Sequence, residues 1–192
     1  ILNSIQEQGK LTDELKAQML AAETMTQLED MYLPYKPKRR TRATMAREKG
    51  LEPLAKLIWE QGLVDVEAEA GKYIDPAKEV ASAQEALAGA RDIMAEWVSE
   101  NPAARARMRE FYWNQGEFVA KVAAGKEEEA AKYRDYFDWS EPVAAAPSHR
   151  VLALRRGENE KMLTLRVAVP EEEAEALLES MFVKGAGPAS EQ

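Results

Sequence analysis

The sequence predicts a mainly α protein, an irregular multi-helix domain with a small β-sheet in its C-terminal half. Three observations carry that expectation. Up to Gly116, apolar residues recur at helical spacing, and the stripes are punctuated by Ser, Thr or Asn caps, first-turn prolines and terminal glycines. Beyond Gly116 the period shortens to two in EFVAKV and MLTLRVAV. The chain has 192 residues, 45% of them hydrophobic, which suffices for one sizeable core or two small ones. Residues 1–62 read as a helical segment with a basic connector, and 63–192 as a helical domain with a small sheet and a C-terminal helix, together one compact unit.

ILNSIQEQG has the register of a helix ending at Gly9 and starts without Met, so we expect a piece of a longer protein. Thr12 caps the next helix, with Asp13 and Glu14 in its first turn and Leu15, Met19 and Ala22 on one face. Thr26 and Glu29 have the spacing of a capping box, and Leu28, Met31 and Tyr32 share the face that follows. Pro34 and Pro37 remove N–H donors and push the residues before them out of helical conformation, so YKPKRR is expected to be extended. Helix returns from Thr44 to Lys49 and stops at Gly50; Pro53 opens another, with Leu54, Leu57 and Ile58 inward, that closes at Gly62. A short helix near Glu67 to Ile74 breaks at Asp75-Pro76. Ser82 and Glu85 form a second box before the stripe Leu87, Ala90, Met94, Trp97 and Val98. Asn101-Pro102 then starts a helix carrying Met108, Phe111 and Tyr112, expected to pack with its predecessor as a hairpin.

EFVAKV and MLTLRVAV are paired as the core of the sheet, because a lone strand leaves its edges unsatisfied. Lys126 to Tyr136 reads as helix. HRVLALRRGENE fits a hairpin arm, with Leu152 and Leu154 alternating, and also a helix capped by Ser148; helix is the reading carried forward. Pro170 and the acids after it open a last helix, and GAGPASEQ reads as a frayed tail.

Charge is unevenly placed. From Lys36 to Lys49 seven basic residues face one acid, Glu48, a local +6 within a chain of net charge −8. Two roles fit that segment. Lys36, Lys38, Arg39, Arg40, Arg42 and Arg47 suit the phosphates of RNA or DNA, flanked by Tyr32 and Tyr35; they equally suit an internal clamp onto acids of neighbouring helices, since bidentate Arg serves either partner. On the clamp reading at least one of Arg39, Arg40 and Arg42 is buried on a carboxylate or on helix C-terminal carbonyls, while Lys36 or Lys38 stays in solvent. Phe111, Tyr112 and Trp113 beside Arg105, Arg107 and Arg109 present a similar choice, stacking of bases or core packing, and for Phe111 and Tyr112 the inward stripe favours the core.

Chemistry elsewhere is sparse. Cysteine is absent, and the single histidine, His149, has no partners at metal-ligand or triad spacing, so no metal, no cofactor and no enzymatic activity are expected. GAGPAS matches no phosphate-binding loop. No apolar run approaches a membrane span, and the lack of cysteine suits a reducing cytoplasm, where we expect the protein to reside.

The wording of several stretches is specific. LEDMYLPYKPKRRTRATMAREKGLEPLA, then ALAGARDIMAEW, YFDWSEPV and SHRVLALRRGENE, resemble in this order the N-terminal region of the Tex-like family of bacterial transcription accessory proteins, across most of the chain. Met31 and Met45 stand where other apolar residues would be expected. The resemblance implies a helical scaffold from a multidomain factor of transcription and RNA metabolism, here without its RNase H-like and OB-fold domains. It implies as partners RNA or DNA in the full-length protein, the transcription machinery and the missing domains. An interaction platform with no nucleic-acid contact of its own is the alternative. It assigns no role to any basic residue here.

Overall fold

The computed structural model describes residues 1–37 and 40–192 and is mainly helical, with a three-stranded antiparallel sheet in the C-terminal half. The chain forms two compact units, Ile1–Arg105 with Met181–Gln192, and Ala106–Ser180.

The first unit is a set of short helices around one long one. Helix α1 (Leu2–Glu7) ends at Gly9, whose φ of +67° lets its N–H reach Gln6 O while the Lys10 N–H reaches Ile5 O. In α2 (Asp13–Leu20) the Thr12 hydroxyl accepts the Leu15 N–H at 3.1 Å. The box of α3 (Met25–Tyr32) is Thr24 with Gln27, two residues earlier than the Thr26–Glu29 frame expected. The two frames compete for one helix, and the earlier one adds hydrogen-bonded residues to a segment that Pro34 keeps short. The chain then continues as a 3-10 turn, Leu33–Tyr35, with Pro34 in its first turn, and becomes extended only at Lys36, directly before Pro37.

Thr41 begins α4 (Arg42–Glu48), its hydroxyl accepting the Thr44 N–H at 3.0 Å, so the helix starts ahead of the predicted Thr44. Gly50 (φ +81°) closes it with the same paired bonds as Gly9, and Leu51 just after is buried. Then come α5 (Glu52–Trp59), α6 (Val66–Gly71), capped by Asp65, and α7 (Ala83–Glu100), capped by Ser82. Glu85 reaches the Ala81 N–H rather than that of the cap residue. The packing partners of α7 are α4, α5 and α6, in place of the expected hairpin with the next helix. Leu51, Leu54, Ile58, Val66, Val80, Ala90 and Ile93 form the core between them. A Cβ on Gly89 would stand 2.4 Å from Cδ1 of the buried Leu51, which would have to shift, and 3.3 Å from Ala46 Cβ of α4.

The last residues are tied into this unit, against the expectation of a frayed tail. Gln61 donates to Phe182 O at 2.7 Å and accepts from the Lys184 N–H at 2.7 Å and the Ser190 hydroxyl at 3.0 Å. Ala189 is buried, and Trp59 packs edge-on against Trp97 and tilted against Phe182. A side chain over a hundred residues away supplies these bonds, which no local pattern reveals.

Helix α8 (Pro102–Gln115), capped by Asn101, leads into the second unit. There β1 (Glu117–Val122), β2 (Asp138–Pro142) and β3 (Leu163–Ala168) pair antiparallel in the order β2-β1-β3. Ala120 lies fully buried between Trp139 and Leu165. The expected β1–β3 pair is present; β2 was not expected. Its inward positions are Trp139 and Glu141, and an inward acid hides the alternation that marks a strand; Arg150 meets that acid at 2.6 Å. Lys126 to Tyr136, read as helix, is a series of turns ending in a 3-10 segment, Ala131–Tyr136, broken at Tyr133. Helix α9 (Ser148–Asn159) forms as expected but begins after Pro147, without a side-chain cap from Ser148. A Cβ on Gly157 would lie 2.6 Å from Leu163 Cδ1, which sets how closely α9 covers β3. Helix α10 (Glu171–Phe182) follows with Glu171, Glu172 and Glu173 in its first turn.

Candidate nucleic-acid interface

The basic segment divides at Thr41, after which α4 is mounted on α7 through Ala43 and Ala46, which are buried. That choice of face decides where each cation goes. Arg47 borders the buried face, and its Nη1 donates to Glu96 Oε2 at 2.6 Å, with side-chain exposures of 30% for Arg47 and 10% for Glu96. The other oxygen of Glu96 accepts from the Thr41 hydroxyl at 3.2 Å. One carboxylate of α7 therefore fixes both ends of α4, cap and last turn.

Among the described residues, three of the remaining cations point outward, while Lys49 is half-buried and donates to Glu79 O at 2.9 Å. Lys36 is exposed. Arg40 is 71% exposed and donates to Glu48 at 3.2 Å; Arg42 is 83% exposed and 4.0 Å from Asp92. Neither is the buried arginine that the clamp reading requires. Arg42 opens a helix whose inner face is already taken by alanines, so its side chain is left to solvent. Arg39, the third candidate, and Lys38 lie outside the described residues. Among the described residues, the inward-turned arginine of the segment is Arg47, placed by helical spacing.

Beside α4 runs a cleft of about 640 Å³ floored by Met45, Ala46 and Leu51. On its rim Arg40, Arg42, Lys49 and Lys78 are matched by Glu48, Glu79, Glu85 and Asp92. Equal numbers of each sign give the cleft no net field for trapping an anion inside it. The outward guanidinium groups of its edge are what an anionic strand would meet.

The second aromatic and basic cluster is split as well. Arg105 donates to the buried Asp30 at 2.7 Å and is structural. Arg107 pairs with Glu110 at 2.8 Å. Tyr112 and Trp113, the first of which the sequence assigns to the core, are 38% and 59% exposed. Glu96 and Asp30, the acids that settle which arginines are internal, went unnoticed in the sequence, because a lone carboxylate within a helix carries no spacing signal. Among the described residues no three His, Cys, Asp or Glu side chains converge as a metal-binding set, and no helix is long and apolar enough to cross a membrane.

Residues 62–191 match the family model described as Tex central region-like. The chain is 50% identical over 169 residues to "Protein tex" of Bordetella pertussis, covering 88% of this chain and 21% of that protein. It is 48% identical over 165 residues to the "Transcriptional accessory protein Tex" of Neisseria gonorrhoeae, covering 86% and 22%. It is 28% identical over 176 residues to the human "S1 RNA-binding domain-containing protein 1", covering 88% and 17%. The chain thus spans about a fifth of the length of the curated relatives it matches.

Proposed function

Because the chain belongs to the Tex family of transcription accessory proteins, we propose that it is a helical scaffold of a transcription-related protein and lends that protein a patch of phosphate contacts. The observation that supports this is the division of the basic segment: Arg47 is spent on holding α4 to Glu96, while Arg40 and Arg42 project 71% and 83% exposed. A rigid mount carrying outward guanidinium groups suits a nucleic-acid backbone, because phosphate contacts need charge and reach, and no deep pocket. Lys36 is exposed as well. In this reading the chain positions and binds, and performs no catalytic step; its partners are RNA or DNA, the transcription machinery and the other domains of the full-length protein.

A second reading, a protein-interaction platform without nucleic-acid contact, draws on the acids that match each cation around the cleft. A salt titration separates the two. Binding of a labelled single-stranded RNA to the chain should weaken as salt rises, and replacing Arg40 and Arg42 by Ala should reduce the logarithmic slope by about 0.7 for each phosphate that is no longer neutralised. Undetectable binding at low salt would leave the platform reading.

A further inference from the structure

Helix α5 stops on a residue that the local chain does not favour. The left-handed conformation after it is taken by Gln61, at φ +55°, although Gly62 stands next to it. Glycine adopts that conformation without strain, so a glutamine there is destabilising unless its side chain makes bonds that glycine could not. It makes them with the end of the chain. The Gln61 carboxamide donates to Phe182 O at 2.7 Å and accepts from the Lys184 N–H at 2.7 Å and from the Ser190 hydroxyl at 3.0 Å. Little else holds residues 183–192. Among the described residues, Ala189 is their one buried member, their backbone–backbone bond is the internal Ser190 N–H to Gly187 O at 2.8 Å, and no such bond joins them to the helices of the first unit. Their further polar tie is the exposed Gln192 side chain, which accepts from Arg91 at 3.2 Å.

We infer that residues 183–192 are a strap that opens and closes on the first unit as one piece, with the Gln61 carboxamide as its latch. Bonds gathered on one side chain are made and lost together, and a stretch with a single small buried side chain opens far more readily than the core beneath it. Opening strands no polar group, because water takes over at Phe182 O, the Lys184 N–H and the Ser190 hydroxyl. It also leaves the packing of Leu51, Leu54, Ile58 and Ile93 as it was, since the strap contributes to that core through Ala189 alone. The place of the strap gives the latch its consequence. The chain leaves the first unit after Arg105 and returns to it at Met181, so a closed latch fastens the returning chain to the end of α5 and an open one lets it go.

Limited digestion with trypsin tests this, because Lys184 is exposed and cleavage after it needs the strap to come away from the body. When opening is fast, the rate of cleavage follows the population of the open form. Release of residues 185–192, read by mass spectrometry, should be about tenfold faster in Gln61→Ala, which loses the three latch bonds together. Gln61→Gly should release them as fast while relieving the left-handed φ, which separates the latch from backbone strain. Cleavage at the parent rate in either variant overturns the inference. Amide exchange in α4 to α7 should stay as in the parent; loss of protection there together with faster cleavage would make residues 183–192 part of the core and overturn the strap. Should Gln61→Ala fail to fold, Gln61→Gly carries the comparison, and in the parent the Lys184 amide should exchange well ahead of that of Ile93. Equal protection of those two amides overturns the inference as well.

Discussion

In the first unit α7 offers α4, α5 and α6 one continuous apolar wall, Ala86, Ala90 and Ile93, against which Leu51, Leu54 and Ile58 are wholly buried. In the second, the buried apolar side chains are Ala120, Ala130, Tyr133, Leu154 and Leu163, and Phe118, Tyr136, Phe137 and Trp139 complete the core while half open to water. The difference shows how each unit resists unfolding. Loss of one apolar side chain is spread over many neighbours in the first unit, whereas in the second it removes a large part of the core.

The largest expected effects probe that contrast. Leu54→Ala and Leu154→Ala each delete a fully buried leucine and should each cost about 2–5 kcal/mol. A small domain has only a few kcal/mol in hand, so Leu154→Ala should open residues 106–180 to amide hydrogen exchange while α4 to α7 stay protected. Leu54→Ala should lower protection in α4 to α7 and leave the sheet as it was. If either variant loosens both units equally, the two cores are not independent.

A smaller contrast lies within the basic segment. Arg47→Ala takes the guanidinium away from a mostly buried Glu96, and should cost about 1.5–3 kcal/mol, the range for hydrogen bonds to charged groups. Arg40→Ala breaks a pair whose members are both exposed and should change stability by less than about 1 kcal/mol. Urea midpoints of the two variants measure this directly; equal losses would mean that the arginines are not divided into mount and patch.

Legibility followed the range of the interactions. Caps at Thr12, Ser82 and Asn101, the stops at Gly9 and Gly50 and the strands β1 and β3 were readable, because each rests on bonds or alternation within a few residues. The sequence missed what distant partners decide: β2 with its inward Glu141 answered by Arg150, and the tail held by Gln61. The candidate site behaved likewise. The density of cations was plain, but that Arg47 turns inward and Arg42 outward depends on Glu96 and on which face of α4 its alanines claim. Tyr112 was misjudged on the same ground, since spacing tells which residues share a face and not whether anything covers it.

The smallest effect at neutral pH belongs to the polar latch of the second unit. Glu160 accepts from Lys132 at 2.6 Å and from the Tyr133 hydroxyl at 3.0 Å, and the Lys132 ammonium lies 5.0 Å from the Tyr133 ring centre. The Lys132 hydrogen bond, and then that of Tyr133, hold the Glu160 carboxyl below its ordinary 4.5. The hydrogen bond to Glu160 raises Lys132 above 10.5, and burial, followed by the same carboxylate, raises Tyr133 above 10.0. The signs differ. A depressed carboxyl contributes stability above about pH 4.5 that is lost as pH falls through its folded value, whereas the raised lysine and tyrosine contribute stability at lower pH that is lost as pH rises beyond about 10. The latch contribution should therefore be level from about pH 5 to 9 and decline on both flanks. Glu160→Gln removes the charge that lowers its own pKa and raises that of Lys132, and part of what raises Tyr133, so its urea midpoint should differ from the parent's by a constant amount across the plateau and begin to converge with it as pH falls below about 4.5. Parallel midpoints down to about pH 3 would show that Glu160 keeps its ordinary acidity and that its charge adds nothing to the stability of the second unit.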